Sequence, residues 1–121
     1  MKIPGPDHPI VIALHPGRIR VICHGEVVAD TTHALALKEK TAPIVFYIPR
    51  DDAQMARFER TAHKTYCPYK GDASYYSIRA GDKVSENAIW SYEAPFPAMA
   101  EIAGHLAFYP NRVDAIEVTP A

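Results

Sequence analysis

Cysteine is scarce in this chain. Cys23 and Cys67 are its only two among 121 residues, and they stand far apart with no C-x-x-C pair. That pattern excludes a structural zinc site built from cysteines, and a reducing compartment would keep both as thiols. Long apolar runs are missing as well. The segment 10–14 is too short for a secretory h-region, and no stretch reaches the length of a membrane span. The expectation is a cytoplasmic protein with no membrane partner. Charge of one sign is also absent: the formal net charge is −1, which supplies no field to draw in nucleic acid. The six histidines are scattered without His-x-His or His-Glu-x-x-His spacing, so no metal or cofactor is expected. No Gly-x-Ser-x-Gly elbow, repeat or low-complexity tract occurs.

What is present reads as a β-rich chain. Hydrophobic residues make up 48% and charged residues 22%, ordinary globular values for one core. Prolines at 4, 6, 9 and 16 predict an extended N-terminal arm over 1–17, leaving 18–121 as a single β-rich domain, with order starting at Arg18. Residues 18–23 alternate, Gly25-Glu26 turns, and Val27–Ala29 returns as a hairpin. The segment 31–40 fits helix by propensity and strand by alternation. Its β-like flanks favour strand, and 44–48 follows as another. Asp51-Asp52 ahead of Met55 and Phe58, three apart, predicts the best helix of the chain over 51–60. Further strands are expected at 61–67, 73–79, 87–93, 106–109 and 113–118, with a helical turn at 98–103. Short strands between Gly and Pro turns predict a strongly curved sheet or barrel-like fold with one or two short helices.

The block Cys67-Pro68-Tyr69-Lys70-Gly71 is the densest in reactive side chains. With Pro4–Ile10, Gly25–Thr31, Tyr47-Ile48-Pro49-Arg50, Arg60-Thr61, His63, Glu86-Asn87-Ala88, Trp90–Glu93 and Ala107–Pro110, it resembles the bacterial and fungal family catalogued as domain of unknown function 427. That family is sometimes labelled nucleotidyltransferase-like, without a demonstrated activity. The resemblance implies a small β-tent related to the Mss4-like group. Some relatives of that group hold zinc through paired C-x-x-C motifs. This chain lacks them, so zinc is not carried over. Nor is there a Gly-Ser followed by spaced aspartates to hold ions for phosphoryl transfer.

Three functional readings follow. The first is a small-molecule-binding domain with its pocket near the Cys67–Gly71 turn. Arg50 and Lys70 would hold an anionic group, Trp90 and Tyr92 would stack on an apolar body, and Tyr76 would orient it. The second is an enzyme with Cys67 as nucleophile, assisted by His63 or Lys70. In an extended strand His63 lies roughly 13 Å from Cys67, which makes Lys70 the better neighbour. The third is an interaction or structural module whose aromatic face meets a partner or a second copy in a homodimer. Each residue also has a bland reading. Cys67 could be a small buried strand end, Lys70 a solvated turn lysine, Arg50 a salt-bridge partner of Asp51, Asp52 or Glu93, and the rings core packing.

Overall fold

The computed structural model of the chain describes residues 1–120. In chain order its strands are β1 (Ile10–Leu14), β2 (Arg18–Cys23), β3 (Glu26–Thr31), β4 (Leu35–Glu39), β5 (Val45–Tyr47), β6 (Phe58–Cys67), β7 (Gly71–Ala80), β8 (Lys83–Ser91), β9 (Ala107–Phe108) and β10 (Ala115–Thr119). They form three antiparallel sheets, ordered β1-β4-β5, β10-β2-β3 and β6-β7-β8-β9. The fold is mainly β as expected, with short 3-10 turns as its only helical pieces among the described residues. The three sheets do not close into a barrel.

Two expectations are corrected. Order begins before Arg18, because β1 pairs with β4 from Ile10↔Glu39 to Leu14↔Leu35. Pro9 and Pro16 flank that strand rather than interrupt it, so its ladder keeps every N–H it needs. Ile10 and Ile12 share one strand face and pack beside Leu37. The segment 51–60 is not a helix. It contains 3-10 turns at Arg50–Asp52 and Met55–Arg57, with Ala53 extended between them (φ −122°, ψ 153°). Ala53 bridges Ala29, and Gln54 N–H donates to the Val28 carbonyl at 2.8 Å. Asp52 accepts from the Thr31 hydroxyl at 2.7 Å instead of capping a helix. Met55 and Phe58 still reach the core as their spacing suggests, but by way of a turn that runs straight into β6.

The β2–β3 hairpin turns at His24 (φ 49°) and Gly25 (φ 78°), one residue earlier than read. Two successive positive φ angles are what a tight turn matching strand twist requires. Asn87 also has positive φ (48°), inside β8. It sits where the β7–β8 register shifts between Tyr76 and Ile78, and asparagine tolerates that conformation better than most residues.

The core divides in two, and the parity of β7 is the divider. Tyr76 and Ile78 join Ile19, Val21, Ile89 and Leu106 in one cluster. Ala73 and Tyr75 join Leu37, Tyr47, Tyr92 and Ile102 in the other. Each fully buried Ile, Leu or Phe contributes roughly 1.5–3 kcal/mol. Ile48 and Leu106 exchange two backbone hydrogen bonds of 2.8 Å and join the β4-β5 sheet to the β8-β9 sheet. No helix among the described residues is long and apolar enough to cross a membrane.

Candidate functional site

The Cys67–Gly71 turn closes β6 onto β7, with Lys70 N–H donating to the Cys67 carbonyl at 3.2 Å. Gly71 has φ +107°, a conformation that side chains with a Cβ rarely adopt. Backbone bonds hold the turn from both sides: Lys2 N–H to Pro68 O at 2.7 Å and Phe96 N–H to Lys70 O at 3.0 Å. Its lysine points inward. Lys70 is only 6% exposed, and its Nζ donates to Glu39 Oε1 at 2.5 Å. The other Glu39 oxygen lies 2.6 Å from His8 Nε2. The His8 ring stacks on Tyr69 at 3.9 Å with planes 3° apart. Thus the N-terminal segment, the turn and the end of β4 meet at one ion pair. Burial works to raise the Glu39 pKa, but the hydrogen bonds from Lys70 and His8 outweigh it and leave the pKa below the usual carboxylate range.

Beyond this ion pair opens a cavity of about 270 Å³ between the two sheets. On one side are Leu37 and Glu39 of β4 and Val45 and Tyr47 of β5, each pair two residues apart and so on one face. On the other are Tyr75, Trp90 and Tyr92, with Tyr109 beside them. Tyr75 pairs with Trp90 across β7 and β8, which puts both rings on the cavity face. Trp90 stands edge-on to Tyr47 (6.4 Å, 85°) and tilts against Tyr109 (4.4 Å, 45°). The Tyr75 hydroxyl lies 3.1 Å from that of Tyr109 and 3.0 Å from Thr65 Oγ1. The Tyr47 and Tyr92 hydroxyls form no hydrogen bond with the described residues, and neither is sealed from the cavity. Burial drives both phenol pKa values upward, and a contact from Trp90 short of a formed hydrogen bond opposes part of the Tyr47 shift. Burial, then the bond to Tyr75, pushes Tyr109 up to about 12. All three remain hydrogen-bond donors at neutral pH.

Of the residues chosen from sequence, Lys70, Trp90 and Tyr92 converge on this cavity. Cys67 is half-buried, with Lys70 Nζ 3.9 Å from its sulfur. His63 is exposed, and its ring meets Tyr75 edge-on at 4.4 Å. Arg50 and Tyr76 do not join them, which corrects the expectation of one shared hollow. The Arg50 Nε donates to Gly104 O at 2.6 Å, and its Nη2 donates to Glu93 Oε2 at 3.0 Å. The Tyr76 hydroxyl donates to the same Glu93 oxygen at 2.9 Å, and Arg60 reaches the other at 2.6 Å. These groups lie on the opposite face of β7 and β8, with Ser74 and Ser91. The cause is parity: one step along a strand moves a side chain to the other face.

Sequence reasoning missed His8, Glu39, Tyr47, Tyr75 and Tyr109. The signal for Tyr75 was available, since pairing β7 with β8 so that Trp90 faces a tyrosine selects one of two adjacent tyrosines. His8 and Glu39 are 31 residues apart and share no local motif.

Among curated proteins none matches this chain. A family match runs over residues 12–119, which takes in every strand but the start of β1 and includes the cavity walls, the turn and the Arg50–Glu93 network. The chain belongs to the family described as Domain of unknown function (DUF427).

Proposed function

We propose that the protein is a small-molecule-binding domain and that the cavity between the β4-β5 and β7-β8 walls is its site. The observation that carries this reading is a pair of buried tyrosines, Tyr47 (1% exposed) and Tyr92 (8%), whose hydroxyls lack protein partners and open onto that cavity. Hydroxyls that open onto a cavity bond water in the free protein, and that water can give way to the acceptor of another molecule. A ligand supplies that acceptor. Aromatic walls with a few polar groups at fixed positions are the usual make-up of such sites. The volume of about 270 Å³ falls just below the ~300–1,000 Å³ of drug-sized pockets, which fits a single-ring ligand.

The enzymatic reading rests on one contact, the 3.9 Å approach of Lys70 Nζ to Cys67. The Glu39 carboxylate beside that ammonium offsets the positive charge that a thiolate nucleophile needs, so binding is the better supported reading. The test is saturation-transfer NMR with a set of single-ring aromatic fragments. Fragments are expected to bind the native chain and to lose contact in Val45→Phe, which places a ring in the cavity. If no fragment binds, or if Val45→Phe binds them equally well, the site is not this cavity.

A further inference from the structure

Building on the binding reading above, we infer that the cavity takes a small aromatic carboxylate rather than a neutral or cationic ring. Donors outnumber acceptors in its wall. The Lys70 ammonium has three N–H groups and no lone pair. Glu39 takes one at 2.5 Å, and the Cys67 sulfur at 3.9 Å is a weak acceptor for a second. The Trp90 indole N–H can only donate, and the oxygen it approaches is that of Tyr47. The open Tyr47 and Tyr92 hydroxyls each hold a proton at neutral pH as any phenol does, and burial pushes their pKa further up. The charged acceptor facing these groups is Glu39, and both of its oxygens are engaged, one by Lys70 and one by His8. The Tyr75 and Tyr109 hydroxyls are engaged with each other and with Thr65.

Such a wall asks for an acceptor-rich ligand. A carboxylate brings two oxygens and about four lone-pair sites, enough for Lys70 and both open hydroxyls. A cation would find Glu39, the carboxylate in the wall, with both oxygens already engaged and the Lys70 ammonium beside it. A neutral ring would leave buried donors unpaired. The Arg112 guanidinium, 4.5 Å from the Tyr109 ring centroid, adds positive charge behind the same wall. The aromatic residues lining the cavity, Tyr47, Tyr75, Trp90, Tyr92 and Tyr109, give the ring of the ligand its apolar surroundings.

Isothermal titration of the full chain with benzoate, benzamide and benzylamine at neutral pH tests this. Benzoate is expected to bind about tenfold more tightly than benzamide, the worth of one charge-assisted hydrogen bond, and benzylamine not to bind. The double variant Lys70→Met/Glu39→Gln removes both charges together, so neither is left alone in the interior. It should bring benzoate to the level of benzamide. A second variant, Tyr47→Phe/Tyr92→Phe, keeps the rings and the ion pair and should weaken benzoate by about tenfold. Benzylamine binding as well as benzoate, or benzamide equalling it, overturns the carboxylate assignment and leaves the cavity standing as a site. Failure of all three ligands overturns the cavity reading as well.

Discussion

Tyr75 and Tyr76 are consecutive in β7, and their hydroxyls end in separate networks. Tyr75 meets Tyr109 and Thr65 at 3.1 and 3.0 Å at the cavity wall. Tyr76 donates to Glu93 at 2.9 Å and accepts from Arg60 at 3.1 Å on the reverse face. One face of the β7–β8 sheet carries the proposed binding chemistry, and the other a lock of two guanidiniums around one carboxylate. Variants on the two faces should therefore behave differently.

Arg50→Ala should lower stability and leave binding alone. The variant loses charge-assisted bonds to Glu93 and to the Gly104 carbonyl. Each such bond contributes about 1.5–3 kcal/mol, with the lower figure fitting a side chain that is 31% exposed. Urea denaturation reads the first effect and fragment titration the second. Lost affinity in a chain that still melts cooperatively would return Arg50 to the binding site.

Lys70→Met should be more damaging than the double change with Glu39→Gln. Removing one partner of a buried pair costs roughly 3–5 kcal/mol. The lower end applies here, because Glu39 keeps 25% of its side chain exposed and retains His8. Removing both charges should recover part of the loss. A double-mutant cycle in urea measures the coupling, and strictly additive losses would mean that the pair is not coupled.

Acid should expose the same carboxylates. Glu39 and Glu93 both have folded pKa values below the ordinary 4.5. In Glu93, burial works upward and is outweighed by bonds from Ser74, Tyr76 and Arg60. A depressed folded pKa adds stability above the unfolded value, and that stability is lost as pH falls through the folded value. The contribution of the two should be constant from neutrality to about pH 5 and then decline. Melting temperature against pH should show an acid limb that is flatter in Glu39→Gln/Glu93→Gln than in the native chain. An unchanged limb would assign acid sensitivity elsewhere.

Asn87 supplies a backbone test. Its Oδ1 accepts from Thr61 at 2.7 Å while its φ is 48°. Asn87→Gly relieves strain and loses that bond, two effects of about 1 kcal/mol that oppose each other. Asn87→Val loses the bond and adds strain, because a β-branched residue fits positive φ worse than asparagine does, and should cost about 2–3 kcal/mol. Equal denaturation midpoints for the two variants would show that the φ value carries no penalty.

Trp90 is the only tryptophan, and it lines the cavity. Ligand entry should therefore change the emission of the whole protein with no background to subtract, and acrylamide quenching should fall. Binding without any change in emission would place the ligand away from this wall.

The strands were legible because alternation and β-branched runs report a half-buried pleated surface. The segment around Met55 and Phe58 was misread because apolar residues three apart suit a helix and equally suit a 3-10 turn feeding a strand. Alternation assigns two faces to β7 without saying which one looks into the cavity. That depends on pairing with Trp90, a long-range fact, which puts Tyr75 rather than Tyr76 on the cavity wall. Lys70 was visible from its turn, but its partners were not. Glu39 and His8 come to it through sheet pairing rather than through any spacing along the chain.

The two cavity walls belong to different sheets, and a single reciprocal backbone pair, Ile48 with Leu106, stitches those walls together. Both side chains at that seam are almost fully buried and pack with Ile19 and Val21 in the core behind the cavity, so the packing there holds one wall against the other. Swapping one aliphatic residue for another at this stitch would shift one wall against the other while every residue lining the chamber stayed the same.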